Sequence, residues 1–250
     1  MAASSGDAQP SPGYYPSSRF RPVPFNRAYT NKWGPQHQTL SGDHSSLTIW
    51  LDRTCGSGFK SKHAYWNGYF STRIKLPAGY TAGTNTAFYT NVYVRGSGDG
   101  RIVGREMRFH LWFDPTAAYH TYAIMWNPDA ITFFVDDVPV RRYERRAELT
   151  FPDRPMWVYG SIWDASDWAT DDGRHRADYR YQPFVARLDR FVVAGCSVNA
   201  PPACRPVPAS PAGAGLTAQQ YAAMRWAQRE HMVYYYCNDF RRDHSLTPEC

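Results

Sequence analysis

Much of what this 250-residue chain could have been is excluded by what it lacks. No run of about 18 apolar residues occurs, so no helix is expected to span a membrane. The opening residues, Met1 to Pro10, hold no apolar core of the length a secretory signal needs. No Cys-x-x-Cys pair exists, and His231 and His244, the histidines near the C-terminal cysteines, lack ligand spacing. The remaining histidines are scattered and propose no metal site. Ser161 has no Gly-x-Ser-x-Gly elbow around it, which argues against a serine hydrolase. No basic run interleaves with a nucleic-acid motif, and no Asn-x-Ser/Thr sequon is present. The expectation is a chain without metal, cofactor, nucleic-acid partner or membrane span, acting as a monomer.

What is present points to strands and turns. Aromatics make up 16% of the residues, with 18 glycines and 19 prolines, a balance that favours many short strands over helices. The net charge is +6 and the isoelectric point near 9.1, suiting either an acidic polysaccharide matrix or a plain solvated basic surface. Four of the five cysteines fall in the last quarter. Cys196 and Cys204 flank a proline-containing loop, and Cys237 and Cys250 bracket the polar tail. Such short separations in loop-rich sequence suit two local disulfides, with a zinc site as the weaker rival. Disulfides need an oxidising compartment, so the leaderless N-terminus reads as a truncated one or that of a mature form. Cys55 is left over as a free thiol.

Residues 1–27 are rich in Pro and Ser and form a segment apart. Period-two strands then follow at 46–51, 68–76, 85–89, 91–94, 106–113, 119–126, 130–135, 138–143, 156–163 and 184–193. Asp136-Asp137 reads as a tight hairpin turn between two of them. One helix is expected, opened by the capping box Thr217-x-x-Gln220 and carrying apolar residues at helical spacing through Val233. The prediction is an all-β fold: a curved antiparallel β-sandwich, a concanavalin-like jelly roll, over 28–195. A short disulfide-stapled extension with one helix follows over 196–250.

Aromatic side chains at strand ends and loops suit the apolar faces of sugar rings, with Asp, Asn and Arg nearby to bond the hydroxyls. The stretch Pro155–Gly173 has this character: an aromatic, β-branched strand runs into Asp167 and an exposed-looking Trp168. Further motifs are Asn31–His37, Gly56–Lys60, Gly104-Arg-Glu-Met107, Phe109–Thr116, Trp163–Thr170 and Tyr236–Arg242. In this order, and with both cysteine pairs, they resemble the xyloglucan endotransglucosylase/hydrolase family of plant cell walls, within glycoside hydrolase family 16. The resemblance runs from about Pro12 to Cys250. It implies a jelly roll with an open glycan cleft, secretion to the wall, and cutting of xyloglucan with transfer to another chain or to water. The Ser-Pro-Gly-Tyr-Tyr-Pro start and Leu-Thr-Pro-Glu-Cys end resemble the branch in which hydrolysis is prominent. Family residues lining the groove map onto Asn91, Arg105 and Glu106, the last two equally able to form a rim ion pair, and an acceptor-side arginine maps onto Arg242. Asp167 and Trp168 are expected to contact glycan by their own chemistry, and Gly173 to allow a close backbone approach or a turn at the end of that loop.

The chemistry of that family is not here. Retaining glycosidases need two carboxyl groups about 5–5.5 Å apart, one a nucleophile and one an acid/base. The family supplies them from Glu-x-Asp-x-Glu on a bulged strand, and this chain has no such motif. By the resemblance it belongs between Tyr89 and Thr90, which are here joined directly, as loss of an interior segment would leave them. Removing a central strand exposes two rows of backbone donors and acceptors unless the sheet closes, at about 1–3 kcal/mol per buried unsatisfied group. The chain is therefore expected to be inactive and of low stability. A family enzyme that has lost its machinery and a lectin-like wall protein are the two readings. Most of Trp112, Trp126 and Trp157, on strands, are expected in the core, and His110 and His120 as ordinary strand histidines.

Overall fold

The computed structural model describes residues 8–79, 87–96, 100–146, 150–167 and 176–250. Trp168 and Gly173 lie outside them. The strands are β1 (Tyr29–Trp33), β2 (Gln38–Leu40), β3 (Ser46–Leu51), β4 (Ser57–Lys75), β5 (Ala87–Arg95) and β6 (Ile102–His110). They continue with β7 (His120–Trp126), β8 (Ala130–Val135), β9 (Val138–Glu144), β10 (Met156–Ile162), β11 (Phe184–Ser197) and β12 (Met232–Tyr235). Two α-helices are present among the described residues, the single turn α1 (Phe25–Ala28) and α2 (Ala218–His231).

Every strand pairing is antiparallel. A broad lower sheet runs β2-β3-β11-β4-β7-β8-β9. The second half of β4 sits between β11 and β7, whereas its first half carries β1 on one side and β10 on the other. That first half belongs to an upper layer, because Tyr29, Phe59 and Val158 pack down onto Leu47, Ile49 and Leu188 of β3 and β11. Gly160 of β10 allows the close approach: a Cβ there would come within 2.3 Å of the Phe59 ring. A second part of the upper layer is the three-stranded sheet β12-β6-β5. Its Val92, Val94, Met107 and Phe109 pack on Ile131, Phe133 and Val135 of β8. Alternation sets these faces, each buried Phe or Val contributing roughly 1.5–3 kcal/mol. Asp136 and Asp137 both take positive φ, as the two-residue turn between β8 and β9 requires.

The C-terminal extension caps this sandwich. Thr217 and Gln220 bond reciprocally across the first turn of α2, and Gln228 donates to the Val140 carbonyl of β9. Cys196–Cys204 and Cys237–Cys250 are disulfide-bonded, and Cys55 is a free thiol. The last turns of chain are anchored inside. Arg105 of β6, fully buried, pairs with Glu249, and Tyr236 donates to the same carboxylate oxygen at 2.8 Å.

The Tyr89–Thr90 join departs from expectation. The two short strands anticipated on either side form one, β5, whose register with β6 is unbroken from Ala87↔His110 to Arg95↔Ile102. The sheet thus closes on the β6 side. Among the described residues β5 has no strand on its other edge, and β10 pairs only with β4. Between these two edges the upper layer is interrupted by a trough of about 260 Å³. Phe70, Ile124 and Phe133, paired across β4, β7 and β8, form its floor, and Phe88, Tyr89, Val158 and Tyr159 form its walls. Ile124 is 43% exposed although its strand is flanked on both sides and its neighbours Phe70 and Phe133 are buried, so among the described residues the cover of that face is interrupted at Ile124.

Candidate functional site

Side chains that alternate away from the core give the upper layer a polar, aromatic outer face. On β10 the pleat sends Val158 and Ile162 into the core and Trp157 and Tyr159 outward, 40% and 52% exposed. The Lys60 ammonium lies 3.9 Å from the Trp157 ring centroid, and that of Lys32 lies 4.4 Å from Tyr159. Trp126 and the half-buried Trp112 pack with the core, as anticipated, but Trp157 does not. Both Trp157 and its neighbour Val158 are apolar, so the period-two pattern could not tell which faces inward.

Across the trough, Asn91 of β5 and Glu106 of β6 are register partners, and the Asn91 side-chain oxygen accepts from the Arg105 N–H at 2.6 Å. Glu106 is ion-paired with Arg108. The Arg108 guanidinium lies near the rings of Tyr89 and Tyr234, 5.1 and 4.8 Å from their centroids. Arg242 donates to the Tyr234 hydroxyl at 3.1 Å and to the Gly104 carbonyl, pinning the tail onto β6. Asn91, Glu106 and Arg242 therefore meet on one patch. Arg105 points the other way, donating to the carbonyls of Val94, Val103, Arg95 and Leu246 beneath the sheet. Asp167 stands apart on the loop after β10, where Arg176 donates to it at 2.6 Å. Tyr89, Arg108 and Tyr234 were not singled out from the sequence, and an Arg or Tyr on an outward strand position carries no motif by which to find it.

Beyond β10, a cavity of about 400 Å³ is lined by Trp163 and Asp164 together with Ile49, Leu51, Phe184 and Ala186, and shares Ile74, Gly160 and Leu188 with the trough. Burial raises the Asp164 pKa somewhat, but hydrogen bonds from Ser166 and Tyr179 outweigh it and hold the carboxyl below its usual range. Burial and the bond to Asp164 push the Tyr179 phenol up to about 12. Asp164 thus stays ionised, an acceptor without a proton to give. Across β1, β4, β5, β6, β10 and β12 the sequence has one acidic residue, Glu106, already held by Arg108. No group of three or more metal-ligating side chains occurs among the described residues.

The sequence model for glycosyl hydrolases family 16 matches residues 25–91 and 88–181, and that for the xyloglucan endo-transglycosylase C-terminus matches 207–250. Xyloglucan endotransglucosylase/hydrolase protein 31 of Arabidopsis thaliana is 52% identical, over all of this chain and 96% of its own length. The chain belongs to the xyloglucan endotransglucosylase/hydrolase family. A probable member from Nicotiana tabacum is 36% identical over 91% of this chain and 88% of its own. The alignment with the Arabidopsis protein spans 283 positions against the 250 residues here, a surplus of 33 that faces gaps in this chain. The family 16 match breaks into pieces that overlap at 88–91, the residues of the Tyr89–Thr90 join. Among solved structures, the laminarinase from Rhodothermus marinus superposes with a TM-score of 0.53 at 16% identity, covering 72% of this chain and 94% of that one. The κ-carrageenase from Pseudoalteromonas carrageenovora gives 0.52 at 15%, covering 71% and 93%. Both show the jelly-roll fold.

Proposed function

We propose that this chain is a secreted cell-wall protein that holds xyloglucan or a related β-1,4-glucan along the outer face of β1, β4 and β10 without cleaving it. The observation that carries this is the carboxylate inventory of the upper layer. One acid, Glu106, is present where retaining cleavage needs two about 5–5.5 Å apart. An interior segment missing at Tyr89–Thr90 accounts for that inventory, and the surplus of 33 aligned positions supports it. What favours retained binding is the pair Trp157 and Tyr159, two part-exposed aromatic rings on the outward side of β10. Asn91, Glu106 and Arg242 extend the polar part of that face over β5, β6 and the tail, with Arg105 supporting them from beneath. Asp167 and Trp168, an acid beside an aromatic ring on the loop after β10, suit the same role, and Gly173 would let the backbone approach there. The two disulfides support secretion, since they persist in an oxidising compartment.

The test is a titration with xyloglucan oligosaccharides beside a depolymerisation and transfer assay on the same material. Saturable binding without new reducing ends or transfer product is expected, and Trp157→Ala should weaken it about tenfold, the usual effect of an aromatic anchor. Turnover by the purified chain would refute the reading, as would oligosaccharide affinity unchanged in Trp157→Ala. Mass spectrometry of the peptide spanning Tyr89–Thr90 establishes that the assayed protein is this chain.

A further inference from the structure

We infer that the trough between β5 and β10 is an acceptor for an extended, acidic β-strand donated by another polypeptide. This goes beyond glycan binding and does not rest on it. Three observations converge. First, β5 and β10 each have one edge without a strand among the described residues, and both edges border the trough. An open edge carries a row of backbone N–H and C=O groups that pair with any extended chain laid beside it. Second, the floor beneath is apolar, and Ile124 lies uncovered at its centre, 43% exposed between Phe70 and Phe133. A strand between the edges would place alternate side chains on this floor and the intervening ones on the outer face. Third, the outer face beside the trough is cationic. Lys32 and Lys60 rest on the rings of β10, and among the described residues neither has a carboxylate partner.

Apolar residues alternating with Glu or Asp satisfy all three at once. Aliphatic groups cover Ile124, carboxylates reach Lys32 and Lys60, and the backbone bonds complete the edges. A whole second copy is the less suitable occupant, because its β5 would bring β6 alongside and both would have to enter the interval before β10.

Two synthetic peptides of nine residues, the length of β5, provide the test: Val alternating with Glu, and Val alternating with Lys. The Glu peptide should bind the intact chain at least tenfold more tightly than the Lys peptide. Hydrogen exchange should show new protection at amides of 88–95 and 156–162. Ile124→Asp should weaken the Glu peptide tenfold or more. Ile124→Thr, which keeps the β-branched shape, should weaken it less and decides the matter if the aspartate variant does not fold. Lys60→Glu should narrow the preference between the peptides. The proposal is overturned by a folded chain that ignores the Glu peptide, or that binds both peptides alike. Binding without protection of β5 and β10 also overturns it, as does a chain whose β5 amides are already protected by self-association.

Discussion

Glu249 offers the sharpest test of how the C-terminal tail is held. Its carboxylate is 8% exposed, pairs with the fully buried Arg105, and accepts from Tyr236. Arg141, 2% exposed, lies in the same interior and among the described residues has only backbone and hydroxyl acceptors: the carbonyls of Thr90 and Arg105 and the Thr90 hydroxyl. Burial draws the Arg141 pKa down to about 10, against the pull of Glu249 and the surrounding tyrosines. Glu249→Gln keeps the shape and removes the charge, leaving a guanidinium buried without its anion. Breaking a buried pair in this way costs about 3–5 kcal/mol, against roughly 5–15 kcal/mol for a whole domain. At about 2–4 °C per kcal/mol for a chain of this size, Tm should fall by roughly 6–20 °C. Calorimetry and urea unfolding read this directly. The double variant Arg105→Met with Glu249→Met should recover most of the loss, since two apolar groups then replace a desolvated pair. A Glu249→Gln loss under about 1 kcal/mol, the range of exposed pairs, would show that solvent screens the pair and sink the argument. Oligosaccharide affinity measured well below Tm should be unchanged, which separates a supporting Arg105 from one that touches sugar.

Three further outcomes are expected. Removing Cys237–Cys250, whose partners are 13 residues apart, should cost about 3 kcal/mol by chain entropy and free Glu249 besides. Non-reducing calorimetry should therefore find it more damaging than loss of Cys196–Cys204. Thr217→Ala should destabilise by about 1 kcal/mol, seen as faster hydrogen exchange in the first turn of α2. Burial against Trp112 and Trp226 depresses the His231 pKa below its ordinary 6.5. The unfolded chain then binds the proton more readily, so the stability His231 contributes is present above pH 6.5 and lost as pH falls below it. His231→Gln should flatten the fall of Tm between pH 7 and pH 5.

The parts of this fold legible in the sequence are those with one unambiguous face. β3 carries Leu47, Ile49 and Leu51 on alternate, buried positions, the Asp136-Asp137 turn has no competing reading, and Thr217-x-x-Gln220 opens α2 where the box predicts. The first half of β4 escaped because Gly58, Lys60, Lys62 and His63 dilute its pattern. Its strand character comes from pairing with β1 and β10 rather than from propensity. Arg105 shows a signal present but unread. Met107 and Phe109 fix the inward phase of β6, and counting back two residues places Arg105 inside with them, while Glu106 and Arg108 face out. The trough was not legible at all, since it depends on which edges remain open after β5 chooses β6.

That β5 exists as one strand is a matter of parity. Thr90, Val92 and Val94 descend into the core, where Arg141 meets Thr90, while Tyr89, Asn91 and Tyr93 stand on the opposite side. The two stretches flanking the join happen to be in step. One residue more or fewer between Tyr89 and Thr90 would invert everything downstream, sending Val92 and Val94 to solvent and Tyr93 underneath. A chain one residue longer or shorter at this point would have no layer here to carry a surface.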